Sequence, residues 1–218
     1  MPAYAQSPLA AETARIIDGA VVIPVLTFAD EATAVAVSRA LVAGGLKVLE
    51  VTLRTEAGLA AIRAIADAVP EAVVGAGTVL TPPQVEAARA AGARFGVSPG
   101  TTPRLLDAVE SAGLPFLPGA GSPSEAMALL ERGYTRQKLF PAEPLGGIAL
   151  LSSLADPLPQ VRFCPTGGID AGKAPAYLAL PNVACVGGSW VAPGEAVRAG
   201  DHARIESLAR AACGLAQR

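Results

Sequence analysis

Short apolar runs recur along the chain at nearly constant spacing. Eight of them begin 21 to 26 residues apart, and each is largely apolar rather than alternating between apolar and polar residues. Strands that are covered on both faces have this composition, because neither face meets water. The pattern therefore predicts eight buried strands, whose runs start at Val21, Lys47, Val73, Arg94, Pro115, Gln137, Val161 and Val183.

The stretches between these runs indicate helices. They are rich in alanine and leucine, and several open with Ser, Thr or Asp and close with glycine, the residue types that cap helix ends. The openings expected to cap helices are Asp30, Thr55, Thr81, Thr102 and Ser122. Helices are predicted at residues 31–43, 57–68, 83–91, 103–112 and 124–131, and a leading helix at about 9–18.

Alternating strands and helices at this interval predict a fold class of α/β, a (β/α)8 TIM barrel with an extra N-terminal helix that caps the barrel floor. An open doubly wound sheet is the alternative. It is less favoured, because no GxGxxG follows the first strand. Since neither a linker nor a composition shift divides the chain, residues 1–218 are predicted to form a single domain.

The composition and charge of the chain exclude several classes of protein. Of 218 residues, 51% are apolar and 17% are charged, which excludes a disordered chain. The net charge of −2 with no basic block argues against a nucleic-acid or anionic-membrane binder. We expect a cytoplasmic protein, because the sequence has neither a secretory signal nor an apolar run long enough to span a membrane. Three distant cysteines and scattered acidic residues indicate neither a disulfide scaffold nor a metal site.

The second predicted strand carries polar residues where a barrel interior should be apolar. In KVLEVTLR, a period of two separates apolar Leu49 and Val51 from Glu50, Thr52 and Arg54. The second set is predicted to point into the barrel. A buried carboxylate must be paired, protonated or functional, so Glu50 is either half of an internal ion pair with Arg54 or a working group.

The sixth predicted strand contains Lys138, one of only three lysines in the chain. Lys47 precedes its strand and Lys173 lies near a helix start, so both are expected at the surface. Burial disfavours the charged form of an amine, and a neutral amine is the form that attacks a ketone. Lys138 is therefore either half of a buried salt bridge with Glu50 or a Schiff-base lysine.

Glycine pairs follow the last two predicted strands. Gly167 and Gly168 come after Thr166, and Gly187 and Gly188 come before Ser189. Loops at these positions hold phosphate in many barrels, because glycine lets backbone N–H groups approach an anion and a helix start adds a favourable dipole. The alternative is that both pairs are only tight turns.

Three other features have plainer interpretations. The segments 75–78 and 98–101, rich in glycine and hydroxyl residues, are each more typical of turns than of binding elements. The single histidine, His202, is expected at the surface. Trp190 and Phe140 are interpreted as packing residues or pocket walls.

Five segments together resemble the 2-keto-3-deoxy-6-phosphogluconate (KDPG) aldolase family, in order and along nearly the whole chain. They are VLEVTLRT (48–55), GAGTVL (75–80), KLFPAE (138–143), RFCPTGGI (162–169) and GGSW (187–190). The resemblance implies a class I, Schiff-base aldolase of the Entner–Doudoroff pathway. It also implies a homotrimer of (β/α)8 barrels that needs no metal or other cofactor, with a phosphorylated 2-keto sugar acid and pyruvate as its small-molecule partners.

The resemblance also implies roles for individual residues. Lys138 takes the Schiff-base position and Glu50 the acid/base position. The remaining positions bind substrate. Arg54 and Thr78 would bind the pyruvate carboxylate, and Phe140 would line the pocket. The phosphate would be bound by Gly167, Gly168 and Ser189, with Thr166 beside them. The loop at residues 119–123 and Leu139 depart from the family pattern, and the loop is expected to affect the aldehyde end of the pocket and therefore the range of substrates.

Other functions remain open at this point. Within the family, the alternatives are a 2-keto-3-deoxy-6-phosphogalactonate aldolase or activity on 4-hydroxy-2-oxoglutarate. Outside it, a barrel phosphosugar isomerase, an epimerase, a thiamin-phosphate synthase or a non-enzymatic binder of a phosphorylated sugar acid would share the glycine turns. Unlike the aldolases, these alternatives outside the family do not need a reactive lysine in the sixth strand.

Overall fold

The apolar runs form short strands, and the alanine- and leucine-rich stretches form the helices between them. The computed structural model describes residues 7–217. The strands are β1 Val22–Leu26, β2 Val48–Thr52, β3 Val73–Gly77, β4 Phe95–Val97, β5 Phe116–Leu117, β6 Gly119–Ala120, β7 Arg136–Leu139, β8 Arg162–Pro165 and β9 Val186–Gly188. The helices are α1 Pro8–Asp18, α2 Glu31–Ala43, α3 Gly58–Ala68, α4 Pro82–Ala90, α5 Pro103–Ala112, α6 Pro123–Glu131, α7 Gly147–Ala155, α8 Ala174–Leu178, α9 Gly194–Ala199 and α10 His202–Cys213.

The paired strands are parallel. One sheet has the order β5-β4-β3-β2-β1-β9, and a second has the order β6-β7-β8. Two single parallel bridges, Phe163 to Val183 and Thr166 to Gly187, connect the region of β8 to the region of β9. The protein therefore has a parallel α/β fold in which helices connect consecutive strands, as the spacing of the runs predicts.

The fifth apolar run differs from the prediction, because it forms two short strands instead of one. Pro118 separates β5 from β6. Proline has no N–H to donate, so it interrupts a ladder of strand hydrogen bonds. Its carbonyl still accepts a hydrogen bond from the Lys138 N–H at 2.9 Å, which keeps the interrupted segment beside β7. The sixth, seventh and eighth runs consequently become β7, β8 and β9.

Apolar side chains form two separate clusters on the two faces of the strands. Leu49 and Val51 belong to the larger one, which contains most of the buried helix residues. Val48, from the opposite face of β2, belongs to the smaller one. The period of two in β2 is thus reflected in its packing. The smaller cluster also contains Ile16, Ile17, Ile23, Phe95, Val97, Leu117, Cys164 and Cys185.

Helix starts mostly follow the predicted caps. The side chains of Asp30, Thr102 and Ser122 accept hydrogen bonds from the first turns of α2, α5 and α6, and Thr81 caps α4. The prediction for Thr55 is wrong. The residue before α3 is Ala57, and the Thr55 hydroxyl instead donates to the Phe28 carbonyl at 2.7 Å. This bond ties the loop after β2 to the loop after β1.

Within residues 7–217, no helix combines the length and the apolar character that crossing a membrane requires. Across the same residues, His, Cys, Asp and Glu side chains do not assemble into a group of three or more that could hold a metal ion.

Candidate active site

Lys138 and Glu50 face each other in the interior. Lys138 lies in β7 and Glu50 in β2, and the Nζ atom donates to both carboxylate oxygens, at 3.0 Å and 3.2 Å. The side chains are only 6% and 4% exposed. The pair is thus largely shielded from bulk water. The sequence-based ion pair between Glu50 and Arg54 is wrong, because Lys138 is the partner of Glu50.

Glycine in the neighbouring strand makes room for this pair. Gly77 ends β3, and a Cβ atom at this position would lie 2.4 Å from Glu50 Oε1. Any side chain at Gly77 would push the carboxylate away from Lys138. In the same way, Gly75 makes room for the ring of Phe95, which a Cβ at Gly75 would approach to 2.4 Å. Residues 75–77 end β3, as the third apolar run predicts, and neighbouring side chains fill the space that Gly75 and Gly77 leave.

Arg54 and Thr78 contact each other at the carboxyl ends of β2 and β3. The Arg54 Nε donates to the Thr78 hydroxyl at 3.2 Å. Arg54 lies in the exposed turn beyond Thr52, where β2 ends, rather than in the strand. Thr78 has a φ of 59°, a left-handed conformation that costs a β-branched residue of the order of 1–3 kcal/mol. A cationic fork beside a fixed hydroxyl suits a carboxylate ligand.

Phe140 connects the lysine to the glycine turn after β8. Its ring centre lies 5.6 Å from Lys138 Nζ. The same ring also packs near Gly167, since a Cβ at Gly167 would lie 3.5 Å from it. Phe140 is partly buried. Phe140 therefore lies close to both the amine and the Gly167–Gly168 turn.

Hydrogen bonds from the neighbouring segment fix the direction of the backbone carbonyls at the Gly167–Gly168 turn. The Thr166 carbonyl accepts from the Ala142 N–H at 2.8 Å, and the Gly167 carbonyl accepts from the Glu143 N–H at 3.1 Å. In a trans peptide the N–H points away from the preceding carbonyl. The N–H groups of Gly167 and Gly168 consequently point to the opposite side of the turn. The positive φ angles, 106° and 82°, require glycine here.

The second glycine pair, Gly187 and Gly188, lies in β9 rather than in a turn, and its neighbours fill the space of the missing side chains. A Cβ at Gly187 would lie 2.2 Å from the Thr166 hydroxyl oxygen, and one at Gly188 would lie 1.8 Å from the Trp190 ring. Thr166 is buried, and Ser189, just after β9, is exposed. α8 begins at Ala174, in agreement with the helix start expected near Lys173, and α9 begins at Gly194. Both starts lie several residues beyond the glycine pairs. Backbone N–H groups and the Ser189 hydroxyl are the donors available here.

Sequence reasoning missed a cluster beside the first glycine turn. Lys173 is exposed, as expected, and its Nζ donates to Glu143 Oε2 at 2.5 Å and to the Gly168 carbonyl at 3.1 Å. The Tyr177 hydroxyl also donates to Glu143. These bonds lower the pKa of Glu143, the largest effect coming from Lys173. Glu143 is the last residue of the KLFPAE motif, so the motif already contained the acidic residue of this cluster. The other surface prediction, for His202, agrees with its exposed position at the start of α10.

Comparisons with known proteins identify relatives of this chain. Residues 14–208 match the family model for KDPG and KHG aldolase. The chain is 51% identical over 191 residues to the 2-dehydro-3-deoxy-phosphogluconate aldolase of Pseudoalteromonas atlantica, covering 88% of this chain and 89% of that protein. It is also 51% identical over 191 residues to the KHG/KDPG aldolase of Escherichia coli K12, covering 88% and 90%.

A solved structure has the same fold. The KDPG aldolase of Legionella pneumophila, whose crystal structure contains pyruvate captured as a covalent carbinolamine, superposes with a TM-score of 0.89. It is 44% identical, and the match covers 92% of this chain and 97% of that one. The family model and the relatives lead to the same conclusion: this chain belongs to the KDPG and KHG aldolase family.

Proposed function

We propose that this chain is a class I aldolase, a carbon–carbon lyase, that cleaves 2-keto-3-deoxy-6-phosphogluconate to pyruvate and glyceraldehyde 3-phosphate through a Schiff base on Lys138. The observation that carries the proposal is the buried pair of Lys138 and Glu50, with Nζ 3.0 Å from Oε1. A buried amine beside a carboxylate supplies the nucleophile and the proton carrier that imine chemistry requires. The family membership supports the same reaction.

The first step uses the contact between the two side chains. Glu50 accepts a proton from the Lys138 ammonium, and the neutral amine attacks C2 of the keto acid. The C2 oxygen leaves as water, which gives a protonated imine. Because both side chains are buried, the amine and the carboxylate exchange the proton between themselves rather than with solvent. The Phe140 ring limits the space in which the ketone approaches the amine.

The second step breaks the bond between C3 and C4. Glu50 takes the proton of the C4 hydroxyl, directly or through a water, the C4 oxygen becomes the aldehyde carbonyl, and the electron pair of the broken bond moves into the imine. Glyceraldehyde 3-phosphate leaves behind an enamine. Glu50 returns a proton to C3, and hydrolysis of the imine releases pyruvate and the free amine. Positioned proton transfer of this kind contributes about 10²–10⁴-fold to a rate.

The two ends of the substrate are proposed to bind on either side of Lys138. Arg54 and Thr78 hold the carboxylate next to C2. Gly167, Gly168 and Ser189, with Thr166 beside them, hold the phosphate at the far end. The Arg54–Thr78 hydrogen bond and the common direction of the Gly167 and Gly168 N–H groups support this division. Holding both ends fixes the scissile bond over the amine.

We infer that the two sheets belong to one closed (β/α)8 barrel that forms a single domain, with α1 at its floor. The bridges near β8 and β9 support closure, and so does the small apolar cluster, which draws residues from both sheets. Ile16 and Ile17 of α1 belong to that cluster, which supports the floor position. The homotrimer remains an expectation that rests on the family resemblance, and the cytoplasmic location remains an expectation from the sequence alone.

4-Hydroxy-2-oxoglutarate is a second candidate substrate. The Escherichia coli relative carries the name KHG/KDPG aldolase at 51% identity, which supports activity of this chain on both compounds. The Lys138–Glu50 chemistry is the same for either substrate, since both present a 2-keto group and a hydroxyl two carbons away. The phosphogalactonate differs from the phosphogluconate in hydroxyl stereochemistry, and measured rates on both sugar acids separate these alternatives.

Trapping of the imine tests the proposal. Pyruvate with borohydride should add a stable mass to the peptide that contains Lys138, and EDTA should leave both trapping and cleavage unchanged. Lys138→Arg should abolish trapping and lower the cleavage rate by at least about 10³-fold, because a guanidinium forms no imine under these conditions. Lys47→Arg is the matched control, with an exposed lysine just before β2. Label on Lys47 or Lys173, or cleavage at the wild-type rate by Lys138→Arg, would refute it.

A further inference from the structure

A charged clasp joins the segment after the lysine strand to the glycine turn after β8. We define this clasp as Glu143, Lys173 and Tyr177. Lys173 Nζ lies 2.5 Å from Glu143 Oε2, and the Tyr177 hydroxyl donates to the other carboxylate oxygen. Lys173 Nζ also donates to the Gly168 carbonyl at 3.1 Å. The mechanism above uses none of these three side chains, although Glu143 is only five residues beyond Lys138.

The clasp completes the orientation of the turn. The carbonyls of Thr166 and Gly167 are held by the Ala142 and Glu143 N–H groups, and the Gly168 carbonyl is held by Lys173. Three successive carbonyls therefore point toward the side of the clasp. Since each N–H is opposite to the carbonyl of its own peptide unit, three successive N–H groups point to the other side. Successive N–H groups that face one way form a concave site for an anion.

Lys173 also cancels a charge that would oppose such an anion. The Glu143 side chain packs so closely on the turn that a Cβ at Gly168 would lie 2.7 Å from Glu143 Cγ. An uncompensated carboxylate beside the turn would repel a phosphate dianion. The Glu143 carboxylate raises the pKa of Lys173, so the ammonium stays charged across the neutral range.

We propose that Lys173 is a positioning residue for the phosphate end of the substrate, and that it makes the enzyme favour phosphorylated 2-keto acids by holding the Gly168 carbonyl and neutralising Glu143. The inference rests on the proposed aldolase function and deepens it. It assigns no reacting atom to Lys173. The phosphate lies far from the bond that breaks, so its binding contributes about equally to the ground state and the transition state. A weakened phosphate site then raises KM and leaves kcat nearly unchanged.

The test compares Lys173→Met with Lys173→Arg on two substrates, the phosphorylated sugar acid and the same acid without phosphate. Lys173→Met should raise KM for the phosphorylated acid about tenfold with kcat within about threefold, and should change kcat/KM for the other acid less than about twofold. Lys173→Arg keeps the charge and a donor, so its KM should return to within about threefold of wild type. Inorganic phosphate should inhibit Lys173→Met about tenfold more weakly than wild type.

Two controls separate this inference from the proposed function. Lys47→Met removes an exposed lysine remote from the clasp and should match wild type on both substrates. Exchange of the pyruvate methyl protons involves no phosphate, so Lys173→Met should catalyse it at the wild-type rate. If Lys173→Met lowers exchange and both cleavage reactions equally, or leaves the KM of the phosphorylated acid unchanged, the inference is overturned. If the wild type itself fails to exchange these protons, the aldolase proposal has failed instead.

Discussion

At the scale of single residues, the candidate site depends on side chains that are absent as well as on those that react. A Cβ at Gly77 would lie 2.4 Å from Glu50 Oε1, well inside contact distance. The φ of Gly77 is not in the left-handed region, so the backbone itself would accept alanine. Glycine is needed at this position because the Glu50 carboxylate occupies the space of a side chain, and that carboxylate is the partner of Lys138.

Gly77→Ala should therefore disable the site through Glu50. We expect kcat/KM for the phosphorylated sugar acid to fall about 10²-fold or more, since positioned proton transfer is worth about 10²–10⁴-fold. The free energy of unfolding should fall by about 1–3 kcal/mol from overpacking. Gly100→Ala is the matched control, because a Cβ at Gly100 meets nothing within 4 Å. A Gly77→Ala enzyme as active as Gly100→Ala would contradict this account of the pair.

At the scale of elements, α1 contacts the strands through a few residues near its C-terminal end. Ile16 and Ile17 near its end belong to the small apolar cluster together with strand residues such as Ile23 and Phe95. The Thr13 hydroxyl of the same helix accepts a hydrogen bond from the Phe116 N–H at 2.8 Å. The helix therefore contacts the strand layer by both apolar and polar means, which is the arrangement expected of an element that covers the end of the strands.

Ile17→Ala should be costly for this reason. Ile17 is fully buried, and removing a buried isoleucine side chain to alanine costs about 2–5 kcal/mol in the free energy of unfolding. Ile148→Ala is the matched control on α7, where the side chain is 38% exposed, and it should cost less than about 1 kcal/mol. Urea denaturation measures both. Equal losses for the two variants would show that α1 packs on the strands less firmly than its burial indicates.

At the scale of the whole molecule, the Glu143–Lys173 pair links stability to pH. The hydrogen bond from Lys173 lowers the pKa of Glu143 below its ordinary 4.5, and the same bond raises the pKa of Lys173 above its ordinary 10.5. A lowered carboxyl pKa stabilises the fold above pH 4.5, and this contribution is lost as the pH falls through the folded value. A raised amine pKa stabilises the fold below pH 10.5, and this contribution is lost as the pH rises through the folded value.

The unfolding free energies of wild type and Glu143→Gln should consequently differ by a constant amount between pH 4.5 and pH 10.5. The difference should shrink on either side of that window. Denaturant titrations at pH 7 and pH 4 measure it. Glu71→Gln, at an exposed glutamate before β3, should stay close to wild type at pH 7. A difference that grows as the pH falls below 4.5 would mean that the Glu143 carboxylate is not stabilised by its partners.

The parallel α/β alternation, most helix caps and the two buried charged residues, Lys138 and Glu50, could be predicted from the sequence alone. Periodicity and capping are local, and a lysine or a glutamate inside an apolar strand is visible without coordinates. Contacts between distant segments were decided only by the tertiary structure. Of the two partners that the sequence left open for Glu50, it selected Lys138 over Arg54. It also split the fifth run at Pro118 and placed Lys173 in contact with Glu143. No local pattern encodes these pairings, because each depends on where the strands and loops lie relative to one another once the chain has packed.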